Sequence, residues 1–145
     1  MTVVVGLGTA YGGDDAVGLV VAERLRALRL PALTVPDASA LVALLGTRRR
    51  VVLVDAVVGA GAPGEVIHLA GEEIARETRV KPVSSHALGV ADAIAMARAL
   101  DEGCASDVHL VGIIIDAPRA PATSLSAPVA TAVDRAVALA RALAE

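Results

Sequence analysis

TVVVGLGTAYGGDDAVGLVVAERLRALRL, residues 2–30, decides the fold. Thr2 to Gly6 is a β-branched run that stops at a glycine, and it reads as a buried strand. Leu7 to Gly13 is a glycine-rich loop. Asp14 then opens a helix to about Leu30, in which Val17, Val20, Val21, Leu25 and Leu28 recur at helical spacing. Pro31 ends it. A buried strand feeding a helix through a tight glycine loop is the first half of a β-α-β unit.

The rest of the chain repeats the alternation. Leu33 to Val35 is a short strand, and Ser39 to Gly46 a short helix with a glycine cap. Val51 to Val54 (VVLV) is the strongest strand, with Asp55 at its carboxyl end. Gly59 to Gly64 is a turn, and Glu65 to Leu69 an alternating strand. The turn is too short for a crossover helix, so this strand is expected to run antiparallel to its predecessor. Gly71 to Pro82 is polar, with one helical turn. Ser84 and Ser85 cap a helix from His86 to about Leu100. Val108 to Ile115 is a further buried strand, and Pro128 to Leu143 an alanine-rich helix. The expected fold is a three-layer α/β/α domain spanning residues 1–145, with a mostly parallel twisted sheet of about five strands, one of them antiparallel.

Composition excludes several classes. The chain has 145 residues, a net charge of −3 and a single aromatic residue, Tyr11, so it lacks the basic face and stacking aromatics of nucleic-acid binding. Arg48 to Arg50 reads as a solvated cluster ahead of a strand. Cys104 is the only cysteine, which excludes an intrachain disulfide, and it lies in a polar loop unsuited to a catalytic thiol. No apolar run approaches the ~20 residues of a membrane span. The opening MTVVVGLG does not read as a signal peptide, so none is expected. A cytoplasmic monomer with no membrane or nucleic-acid partner is expected.

Ligands of such sheets gather beyond the carboxyl ends of the strands, and three polar positions fall there. Asp14 and Asp15 open a helix. One carboxylate suffices to cap it and complement its dipole, for about 1 kcal/mol. Asp14 fits that task, which leaves Asp15 as the functional candidate. Asp55 ends an apolar run, where a carboxylate is rare unless paired or metal-bound. His86 stands at an expected helix start, where the dipole disfavours imidazolium and favours the neutral form that binds metal or acts as a base. Two carboxylates and an imidazole form an O,O,N set suited to a first-row divalent ion. His68 and His109 lie in strand patterns and read as structural or solvent-facing.

The motifs together resemble a known family. Gly6-Leu-Gly-Thr-Ala-Tyr-Gly-Gly-Asp-Asp-Ala-Val-Gly18 resembles the GxGN…DDGxG opening of the NiFe-hydrogenase maturation endopeptidases. Val51 to Ala56 with the following PGEV resembles their central strand, Ser85-His86 with Leu88-Gly89 their SxHxxGL segment, and Val108 to Ile113 their late strand. The resemblance implies a twisted sheet flanked by helices. It also implies an endopeptidase that clips a C-terminal peptide from the hydrogenase large-subunit precursor once nickel is in place. Asp15, Asp55 and His86 then match the family's metal-contacting positions and are the expected catalytic set. Nickel would come with the substrate rather than as a held cofactor.

Three departures stand out. Thr9 replaces the usual asparagine, Ala16 replaces the usual glycine, and the family's DGGT-like segment appears only as Asp37-Ala38-Ser39. Asp37 matches its aspartate and is expected to help hold the substrate tail. Two other readings compete. A nucleotide module is disfavoured because Tyr11 stands where GxGxxG needs glycine, and two aspartates repel phosphate. A non-catalytic, metal-sensing assembly factor would keep Asp15, Asp55 and His86 yet cut nothing.

Overall fold

The computed structural model describes residues 2–9, 12–36, 38–46, 50–83, 89–100, 107–116 and 124–145. Strand β1 (Thr2–Leu7) leads through a 3₁₀ turn (Gly13–Ala16) into α1 (Val17–Ala27). Strand β2 (Ala32–Val35) is followed by a 3₁₀ turn and α2 (Leu41–Leu45). Then come β3 (Arg50–Gly59), β4 (Val66–Ala70), α3 (Glu73–Arg76) and β5 (Val80–Pro82). The chain closes with α4 (Val90–Leu100), β6 (Asp107–Ile114) and α5 (Ala127–Ala144).

The sheet runs β2-β1-β3-β6-β4, with β5 also paired to β3. The β1–β2, β1–β3 and β3–β6 pairs are parallel, so the α/β/α expectation holds. Six strands are present among the described residues, against about five expected, and two pairs are antiparallel. Strand β4 does run opposite to β3, but its partner is β6, which lies between them. Strand β5, which lies in the stretch read as polar with one helical turn, owes its existence to β3. The latter continues past Asp55 to Gly59 and offers Val57, Val58 and Gly59 as partners for Pro82, Lys81 and Val80.

Alternation along β3 divides the interior into two cores. Val51, Leu53 and Val57 face α2, α3 and α4. Val52, Val54 and Ala56 face α1 and α5, against Val17, Val21, Leu25, Val129 and Val133. With a single aromatic residue in the whole chain, the layers must be filled by small side chains and the helices must approach the sheet closely. Alanines 132, 136 and 140 of α5 allow this on one side. In α1 it is Gly18: a methyl there would lie inside contact distance of the Leu7 and Val54 carbonyl oxygens.

Several helix boundaries differ from expectation. The first helix begins at Val17 and ends at Ala27, ahead of Pro31, with Arg29 in the left-handed region. Gly46 ends α2 in a right-handed conformation (φ −70°), so it is not a left-handed glycine cap. Helix α4 begins at Val90 rather than at His86. Gly89 is not helical and accepts the first helical bond from Ala93 N–H (2.9 Å). Among the described residues no helix is long and apolar enough to cross a membrane.

Candidate active site

The β1–β3 ladder ends at Gly6 and Val54. Asp55 is therefore the first β3 residue beyond it. Two residues further on, β5 arrives from the opposite direction on the same edge of β3. Asp55 thus sits where a parallel neighbour stops and an antiparallel one begins, flanked on its other side by Gly112 of β6. It lies within strand β3 rather than at its end, which corrects the expected position. Strand alternation turns it to the same side as Leu53 and Val57. Among the described residues it is the one charged side chain that is wholly buried. Burying an ionised carboxylate costs several kcal/mol, about 3 or more, unless partners compensate.

Asp15 reaches the same end of the sheet by another route. Its turn folds back over the end of β1, so close that a methyl on Gly8 would strike the Asp15 carbonyl oxygen. Gly8 itself has φ +153°, a conformation glycine adopts readily. Gly12 packs against the Asp15 side chain, and Asp15 Oδ1 is shielded from solvent. The close approach of α1 at Gly18, next to Val54, completes the link between this turn and β3.

His86 and Asp37 lie outside the described residues. Of their neighbours, Ala38 belongs to the core on the Asp55 side of the sheet, and Val83 packs against the core on the other side. Val83, three residues before His86, donates its N–H to Ala56 O (2.8 Å), one residue from Asp55. Ala38, next to Asp37, is buried in the α2–α4 core. Helix α4 starts at Val90, four residues after His86, and the expectation that its dipole acts on His86 falls outside the described residues. A cleft of about 290 Å³ opens between α3, β5 and the start of α4, with Leu69, Ile74, Val80, Pro82 and Val90 in its walls. Among the described residues no three His, Cys, Asp or Glu side chains are grouped to hold a metal.

Asp14 does not cap its own helix, contrary to expectation. Its carboxylate accepts hydrogen bonds from Ser126 N–H (2.6 Å) and Ser126 Oγ–H (2.7 Å), 112 residues away. Ser126 escaped the sequence reading, although a serine followed by Ala127-Pro128 is a helix-start signal.

A family model described as hydrogenase maturation protease matches residues 36–143. The chain belongs to the hydrogenase maturation protease family. The matched span includes Asp37, Asp55 and His86, and Asp15 lies before it. This maturation protease is also similar to Protein FrxA of Pyrococcus furiosus, 30% identical over 130 residues, covering 88% of this chain and 93% of that protein. Among solved structures it resembles NiFe hydrogenase maturation protease HybD of Thermococcus kodakarensis, with TM-score 0.85, 29% identity and 99% of each chain covered. It likewise resembles the maturation protease HycI of the same organism, with TM-score 0.68 and 27% identity over 99% of this chain and 89% of that one. As a family member the protein is a peptidase, as the resemblance implied.

At the opposite end of the sheet, His68 and His109, read as structural or solvent-facing, lie in β4 and β6 and meet each other. His68 Nε2 and His109 Nδ1 are 2.9 Å apart, and His109 Nε2 lies 2.6 Å from Asp107 Oδ1. Arg50 Nε donates to Asp107 Oδ2 (2.7 Å) and its guanidinium reaches the Leu143 carbonyl (3.0 Å) at the end of α5. Burial and the neighbouring His109 hold the His68 imidazole below its ordinary value of 6.5, with Glu73 opposing. Burial raises the Asp107 carboxyl, but Arg50 and His109 outweigh it and leave it below 3.8. The unfolded chain therefore takes up the His68 proton at a higher pH than the folded one. Stability is expected to fall as pH drops from 6.5 through the lowered folded value, and to be unaffected by this group above 6.5. His68→Ala should flatten the thermal midpoint between about pH 7 and pH 5 relative to the parent. An unchanged slope would assign the acid sensitivity to other groups.

Proposed function

We propose that this chain is the endopeptidase that removes a C-terminal peptide from a NiFe-hydrogenase large-subunit precursor after nickel insertion. The observation that carries the proposal is the wholly buried Asp55 at the seam where β1 stops and β5 begins. A carboxylate on this face of β3, between the apolar Leu53 and Val57, carries a desolvation cost that an apolar residue would not. The Asp15 turn closes over the same end. His86, which the resemblance adds to the set, follows Val83 by three residues in the sequence.

In this reading nickel is part of the substrate, carried in by the precursor. Asp15, Asp55 and His86 contact it, and an empty precursor leaves the site incomplete. Water adds to the scissile carbonyl carbon. A carboxylate of the set takes the water's proton and passes it to the departing amine as the C–N bond breaks. The cleft between α3, β5 and α4, which mixes Leu69, Ile74 and Val80 with Glu77, Lys81 and Asp92, suits an extended peptide tail, with Asp37 helping to hold it. The protein works as a monomer in the cytoplasm.

The test mixes the purified protein with the nickel-loaded precursor of its cognate large subunit and follows precursor mass. The expected result is loss of a short C-terminal peptide that requires nickel and fails with His86→Ala, at least about a hundredfold slower. An intact precursor that still binds the folded protein would replace this reading with a non-catalytic assembly factor.

A further inference from the structure

The sequence offers two adjacent carboxylates, and the proposed function uses only Asp15. Asp14 accepts two hydrogen bonds from one residue, Ser126 N–H and Oγ–H. Ser126 is the N-cap of the 18-residue α5, yet its hydroxyl makes no bond to that helix's first turn. Asp14 therefore stands before the positive end of α5 and takes charge-assisted bonds, which are about twice as strong as neutral ones.

This clamp acts on the turn that carries Asp15. The turn's short-range bonds include Gly12 N–H to Thr9 O (3.0 Å), Asp15 N–H to Gly12 O (3.2 Å) and Val17 N–H to Asp14 O. Short 3₁₀ turns have poorer hydrogen-bond geometry than α-helices, so a tether to a neighbouring element adds to the definition of this one. The packing of α1 on α5 does not depend on the clamp. Val17, Val21 and Leu25 are buried with Val129 and Val133, and Arg24 pairs with Asp134 across the two helices. Losing Asp14 would thus loosen the turn and leave the helices in place.

We propose that Asp14 is a positioning residue: by fastening its turn to the N-terminus of α5, it sets where the Asp15 carboxylate stands at the end of β1 and β3. The proposal rests on the role given to Asp15 above. A displacement of about 1 Å at a reacting group costs up to about a hundredfold in rate.

The experiment compares Asp14→Ala, Asp14→Asn and Ser126→Ala on the nickel-loaded precursor, alongside hydrogen exchange at the Asp15 amide. Asp14→Ala should lower kcat at least about tenfold with KM and the thermal midpoint near the parent values. Asp14→Asn should recover most of the loss, since its amide oxygen can accept from Ser126 N–H and its amide group can donate to Ser126 Oγ. Ser126→Ala should fall between, and the Asp14→Ala/Ser126→Ala pair should be no worse than Asp14→Ala alone. Asp15 amide exchange should speed up in Asp14→Ala and not in Asp14→Asn. Parent-like kcat and exchange in Asp14→Ala would overturn the proposal, as would an asparagine variant as poor as the alanine one. If the parent protein leaves the precursor uncut while the exchange results come out as expected, the clamp stands and the function proposed for the site falls.

Discussion

Gly18→Ala is expected to destabilise the fold by about 3 kcal/mol or more, although alanine is the better helix former by about 1 kcal/mol. The sign is decided by what the new methyl meets. It would lie 2.5 Å from the Val54 carbonyl oxygen, 3.0 Å from Leu7 N, and closer still to the Leu7 carbonyl oxygen. All three are backbone atoms of β1 and β3, strands paired on both sides in the middle of the sheet. Flexible side-chain ends could move aside, but these atoms cannot without breaking ladder bonds. Relief must come from α1 lifting away from the sheet, which would expose Val17, Val21 and Leu25. Gly46→Ala is the control. Gly46 has helical angles and its nearest obstacle lies 3.4 Å away, so the methyl should be neutral or stabilising by a few tenths to about 1 kcal/mol. Urea unfolding midpoints with unchanged slopes would measure both. A Gly18→Ala protein as stable as the parent would mean that α1 does not approach the sheet as closely as described, and the link between the Asp15 turn and β3 would go with it.

What could be read from sequence was whatever depends on neighbours along the chain. The glycine loop between Gly6 and Gly13, the alternation of buried strand and helix, and the position of Asp15 at a turn all rest on local periodicity and backbone freedom. The misreadings have a common cause in partners distant in sequence. Val57-Val58-Gly59 looks like the start of a turn, yet it is strand because β6 supports it on one side and β5 on the other. Val80-Lys81-Pro82 contains a proline and only three residues, and it is a strand only because that extension of β3 awaits it. Asp14 looks like a cap and is one in chemistry, but the helix end it serves begins at Ala127. The contact between His68 and His109 was not legible either, because nothing local says that residues 41 positions apart meet. Asp55 was found from sequence for a sound reason, a carboxylate closing an apolar run, even though the strand continues beyond it. Asp37 and His86 lie outside the described residues, so their part in the site rests on the sequence and on where Ala38 and Val83 sit.

Asp55→Asn is expected to slow precursor processing at least about a hundredfold and to leave stability within about 1 kcal/mol of the parent. The two halves of this expectation separate a functional carboxylate from a structural one. Asparagine has the shape of aspartate and can keep one accepted hydrogen bond, so the seam between β1 and β5 should close as before. It loses the charge, and with it the ability to bind a cationic metal centre in the substrate or to take a proton from water. A buried carboxylate kept for the fold would behave in the opposite way. Removing its charge would strand the groups that compensate it, at a cost of about 3–5 kcal/mol, while whatever fraction stayed folded would cut at the parent rate. Measuring kcat per folded molecule together with the unfolding midpoint therefore decides between them. The functional outcome is favoured by the surroundings. Asp55 shares its face of β3 with Val51, Leu53 and Val57, and an apolar residue there would extend the core at no desolvation cost. On the proposed function, the charge is kept at this seam, where β3 changes neighbour, for the chemistry performed there. An Asp55→Asn protein that processed precursor normally would remove Asp55 from the reaction and leave Asp15 as the carboxylate to test next.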